Sequence, residues 1–113
     1  MGLKLSEHRD LAIKYFQISY STVNPIICLS FALRSIEEIA MDILLESEGY
    51  NVYSPDTQNK MIKIIRENPE LYEIYLKVLY NMSKLLMEGD FNKEFLVDLE
   101  KIISKILNYT FKI

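Results

Sequence analysis

Each of the three prolines stands directly behind a residue that favours a helix N-cap: Asn24-Pro25, Ser54-Pro55 and Asn68-Pro69. Asn and Ser side chains accept hydrogen bonds from the unpaired amides of a helix's first turn. Proline suits the next position because it has no amide to leave unsatisfied. Two of the three glycines, Gly49 and Gly89, fall where long runs of helical apolar spacing stop, which is where a C-terminal cap belongs. These marks divide 113 residues into about five helices and leave no stretch for a sheet. The expected fold class is all-α, a single up-and-down bundle spanning residues 1–113.

The spacing predicts a first helix over Ser6–Thr22, with Ser6 as its cap and two adjacent apolar rows, Leu11, Tyr15, Ile18 and Ala12, Phe16, Ser19. The second, from Pro25 to about Ser47, is apolar nearly all the way round between Ile26 and Leu33, as in a helix covered on every side by its own bundle or by a partner. Its second half turns amphipathic. Ile36, Ile39, Ala40, Ile43 and Leu44 keep one apolar face, while Arg34, Glu38, Asp42 and Glu46 recur every fourth residue on another. At about 1.5 Å per residue this helix is roughly 35 Å long, the spine of the domain.

A third helix is expected over Pro55–Glu67, with Met61, Ile62, Ile64 and Ile65 inward. A fourth covers Pro69 to about Met87, with Leu71, Tyr75, Val78, Met82 and Leu85 on one line and Tyr72, Leu76, Leu79 and Leu86 beside it. The fifth starts at an Asn92 cap, with Phe91 and Leu96 spaced as a hydrophobic staple, and Phe95, Leu99, Ile102, Ile103, Ile106 and Leu107 continue its face to the end of the sequence. Short connections favour antiparallel neighbours.

Half of the residues are apolar, the upper edge for so small a domain, so part of the apolar surplus is expected at a subunit interface. The residues expected there are Ile26, Ile27, Leu29 and Phe31 on the second helix, with Tyr72, Tyr75 and Tyr80 on the fourth. Eight tyrosines beside no tryptophan fit that reading, because tyrosine joins a large contact area to a polar handle. Tyrosines at the margin of the core fit the same pattern. A homodimer is the expected state, with a different protein partner as the alternative.

The formal net charge of −3 and the pI of about 5.2 argue against duplex nucleic acid as the main ligand. The basic edge of Lys60, Lys63 and Arg66 is offset by Glu67, Glu70 and Glu73. No uncharged run reaches the roughly 18 residues of a membrane span, and no signal-peptide core opens the chain. A cytoplasmic protein without membrane contact is expected. Cys28, the lone cysteine, sits in an apolar run as a buried thiol, and His8, the lone histidine, sits in a charged turn as a surface residue. No motif asks for a cofactor.

Glu37, Glu38 and Asp42, with Glu70 and Glu73, are the carboxylates that a hard cation such as Mg²⁺ would need. All-helical nucleotide pyrophosphatases pair a Glu-x-x-Glu with a later Glu-x-x-Asp. Glu70-Leu-Tyr-Glu73 meets the first spacing, but Glu7-His-Arg-Asp10 precedes it, and Glu94 to Asp98 is one residue too long. A solvated charged face, with Arg34 and Glu38 as an exposed ion pair, is the simpler reading.

The stretch Ala32-Leu-Arg-Ser-Ile-Glu-Glu38-Ile-Ala-Met-Asp42-Ile-Leu-Leu-Glu-Ser-Glu-Gly49 resembles the second long helix of HEPN domains. Ala32, Glu38, Leu44-Leu45 and Gly49 occupy the places of that family's small residue, glutamate, leucine pair and closing glycine, and the order of helices agrees. Active members cut RNA with an Arg-x-x-x-x-His motif across a dimer. Here Arg9, Arg34 and Arg66 are followed at that distance by Lys14, Ile39 and Leu71, while Asp42 and Ser35 replace a common lysine and glutamine. The resemblance therefore implies a partner or nucleotide role rather than cleavage, and with the apolar surplus the expected function is that of a self-associating, non-catalytic binding or scaffold protein. Two alternatives stand beside it: a Mg²⁺-dependent nucleotide hydrolase built on the five carboxylates, and the accessory chain of a toxin–antitoxin-like pair.

Overall fold

A computed structural model describes residues 5–49 and 55–111. It holds five helices: α1 (Leu5–Ser21), α2 (Pro25–Glu48), α3 (Pro55–Glu67), α4 (Pro69–Glu88) and α5 (Phe95–Ile106). No strand occurs among the described residues.

The caps fall largely where the sequence places them. Asn24 takes an extended conformation and its side chain accepts from the amides of Ile26 and Ile27; Asn68 does the same for Leu71. Gly49 and Gly89 end α2 and α4 in the left-handed region, at φ 72° and 67°, and donate to the carbonyls of Leu45 and Leu85. The Ser54 cap lies outside the described residues. Ser6 is not a cap, because the chain is already helical at Leu5. A single residue, Asn68, separates α3 from α4, so that junction is a kink more than a loop.

Two ends differ from expectation. Asn92 Oδ1 accepts from the Glu94 amide at 2.6 Å, and i to i+3 bonds from Leu96 and Val97 tighten the entry, so α5 starts only at Phe95. After Ile106 the helix stops: Asn108 takes φ 52°, and Tyr109 and Phe111 return to α1. The Phe111 ring reaches Phe16 at 4.9 Å, and Tyr109 meets Phe111 edge-on at 4.8 Å.

Side-chain ties reveal the direction of each helix pair. Along α1 and α2, His8 meets Glu38, Ser35 donates to the Ala12 carbonyl at 2.7 Å, and Ser19 donates to the Cys28 carbonyl at 2.6 Å. Low numbers in one helix pair with high numbers in the other, so the two run antiparallel. The Lys77–Asp98 and Glu70–Lys105 ion pairs show the same order for α4 and α5. Arg9 donates to the Leu107 carbonyl and Lys93 to those of Tyr20 and Thr22, which sets α1 antiparallel to α5 and places a cation at each helix's carbonyl end. The spine expected of α2 is present: it touches all four other helices. Its Leu29, Ile36, Ile39 and Leu44 form the core with Ile74 and Val78 of α4 and Leu99 and Ile103 of α5.

Candidate functional site

The side chains of α4 divide into three sectors. Leu71, Ile74 and Val78 are buried in the bundle. Glu70, Glu73, Lys77 and Lys84 form a charged flank turned toward α5, joined to it by Lys77–Asp98 at 2.8 Å and by Glu70–Lys105. The third sector is apolar and open: Tyr72, Leu76, Leu79 and Leu86 lie along one line, with Tyr80 and Met87 beside them. Leu86 is 86% exposed, Met87 83% and Tyr80 62%. Taking about 200 Å² for a whole side chain of this size, the six leave roughly 700 Å² open, against about 300–600 Å² for the largest patch of a typical monomer.

A second, smaller apolar patch lies at the corner between α1 and α2, made by Tyr20, Val23, Ile26 and Ile27. The structure splits the half-helix that looked apolar all round. Cys28, Leu29 and Ala32 are fully packed in the core, while Ile26 and Ile27 face outward. Leu29 is therefore a core residue and offers no surface to a partner, because its side of the helix faces the bundle's interior. Phe31 is half-buried, its ring 5.4 Å from that of Tyr15. On α4, Tyr75 packs against the core margin, and Tyr72 and Tyr80 stay open. The Tyr80 ring lies under Lys84 Nζ, 5.8 Å from its centre.

The row Arg34, Glu38, Asp42, Glu46 is not the solvated face that its spacing suggests. Glu38 and Asp42 are buried, because α1 lies across them and brings His8 against Glu38, Nδ1 to Oε2 2.5 Å. His8 is wholly buried, not a surface residue. Extending the Ala12, Phe16, Ser19 row four residues back reaches His8, so helical periodicity carried the signal. Arg34 forms no ion pair with Glu38. Its guanidinium instead lies over the Tyr15 ring, 5.3 Å from the centre. Asp42 Oδ1 is buried without a hydrogen-bond partner. Burial pushes the Asp42 carboxyl up and Glu46 adds to the rise, against the pull of His8 and Arg9.

Arg34, Glu37, Glu38, Met41, Gln58 and Met61 line a cleft of about 260 Å³ between α2 and α3. Burial raises the Glu37 carboxyl above its usual range, with Arg34 opposing and Glu38 reinforcing. The carboxylates expected to share a cation are divided between α2 and a separate groove on α4. Glu37 and Glu38 line this cleft, Asp42 lies against α1, and Glu70 and Glu73 line a separate groove with Lys77, Asp98 and Lys101. No group of three His, Cys, Asp or Glu among the described residues is arranged to hold a metal ion. Cys28 is buried, its sulfur 3.3 Å from Ser19 Oγ. On α3, Lys60 and Lys63 lie beside Asp56 and Glu67, so the basic edge is a mixed-charge surface. No described helix is long and apolar enough to cross a membrane.

No protein-family model matches the chain, and no curated protein or solved structure matches it.

Proposed function

We propose that this chain is a self-associating binding or scaffold protein without catalytic activity, a bundle of the kind seen in HEPN domains that lack the Arg-x-x-x-x-His pair. The open apolar face of α4 carries this reading. Its roughly 700 Å² exceeds what a solitary domain normally leaves to water and approaches the about 800 Å² per partner of a standard interface. The groups most suited to chemistry support it from the other side. The lone histidine and lone cysteine are both wholly buried in ties between α1 and α2, out of reach of a substrate. The features that suggested HEPN domains also have structural work to do here: Ala32 and Leu44 are core residues and Gly49 is a left-handed cap.

The corner patch of Tyr20, Val23, Ile26 and Ile27 gives the molecule a second contact surface, as a scaffold requires. Multi-angle light scattering at micromolar concentration tests the reading. A mass of twice the 13.3 kDa chain is expected, and a monomer at every concentration contradicts self-association.

A further inference from the structure

We propose that the outward face of α4 is the seam of a twofold dimer, in which α4 of a second copy of this chain lies antiparallel against it. This rests on the self-association put forward above, and adds which surface is used and in which direction the partner runs. Tyr72, Leu76, Leu79, Ser83 and Leu86 follow one another in alternating steps of four and three residues. That is the spacing by which two packed helices keep a single seam in contact. The corner patch has no such line; it gathers around a turn.

The flanks of the seam set its direction. One flank carries Glu73, Lys77 and Lys84 together with the exposed Tyr80 and Met87, and the other carries the half-buried Tyr75 and Met82 and no charge. Helices running in opposite directions bring like flanks together, so Glu73 of one copy comes beside Lys84 of the other. Helices running in the same direction would leave Glu73 and Lys84 facing a flank that offers no opposite charge. Both ions are on the surface in the single chain, Glu73 near Lys77 and Lys84 near Asp90, and neither needs to be drawn out of the core to make the new pair. Leu79 lies midway between Tyr72 and Leu86. It therefore falls on the twofold axis, and Tyr72 of one copy meets Leu86 of the other.

Sedimentation equilibrium on the full chain tests the surface. Leu76→Glu with Leu86→Glu should weaken the dimer by about 30-fold or more, while Val23→Asp with Ile26→Asp should leave it unchanged. Leu86→Glu alone guards against misfolding, because that side chain is 86% exposed, and it should weaken the dimer with an unaltered circular dichroism spectrum. A dimer that survives the α4 changes and yields to the corner changes overturns the seam and leaves self-association standing. A wild-type chain that stays monomeric overturns both.

Cysteine cross-linking tests direction, since Cys28 is buried and stays out of the reaction. Leu79→Cys should link to itself, and Tyr72→Cys should link to Leu86→Cys in a mixture of the two variants. Efficient linking of Tyr72→Cys to itself means parallel helices and overturns the proposal.

Discussion

Asp42 shows how one residue can work against the fold that buries it. Its carboxylate lies under α1 with Oδ1 unpartnered, and burial raises its pKa above the ordinary 3.8. The folded chain therefore holds this proton more tightly than the unfolded chain does. The benefit is complete below about pH 3.8 and is lost as pH climbs through the raised folded value. At neutral pH Asp42 is a net cost. Asp42→Asn should stabilise the protein by about 1 kcal/mol at pH 7, with the advantage vanishing at the acid end of a series of urea titrations. His8 is the opposite case. Removing it leaves Glu38 buried without its partner, so His8→Ala should cost about 3 kcal/mol in the same titration. His8→Phe with Glu38→Leu should cost less, because no charge is then stranded.

At the scale of the helix, the ends depend on a few backbone contacts. Gly89 has open space where a Cβ would go, so the penalty of Gly89→Ala comes from its left-handed φ of 67° alone. That should be about 1 kcal/mol in a thermal melt, and Asn68→Ala should lose a similar amount with its cap. These local devices are why helix number and most boundaries were legible in the sequence: proline, asparagine and glycine act on their immediate neighbours. The faces of the helices were less legible. Glu38 and Asp42 read as surface because their spacing matched a charged row, and only the arrival of α1 decides that they are buried. On α4 the chain offers two apolar rows, and nothing in their spacing says which one the bundle takes. The structure buries Leu71, Ile74 and Val78 and leaves Tyr72, Leu76 and Leu79 outside. Likewise the cleft of Arg34, Glu37 and Gln58 joins two helices, and no single segment encodes it.

For the whole molecule, two antiparallel helix pairs, α1 with α2 and α4 with α5, enclose one core, and among the described residues the exposed apolar side chains gather mainly on α4 and at the α1–α2 corner, with Ile62 and Val97 open singly elsewhere. Along the α4 face, Ser83 is the one polar residue in the line. Replacing it with leucine should tighten the dimer by about ten-fold or more, since each copy then buries an additional aliphatic side chain; sedimentation equilibrium would measure it. Hydroxyl-radical footprinting of the wild-type chain over a range of protein concentration shows whether a second copy covers the α4 face. Labelling of Tyr72, Leu76, Leu79, Tyr80, Leu86 and Met87 should fall together as concentration rises, while Val23 and Ile26 stay equally reactive. If the α4 side chains remain as reactive at high concentration as at low, nothing covers that face and the chain does not associate through it.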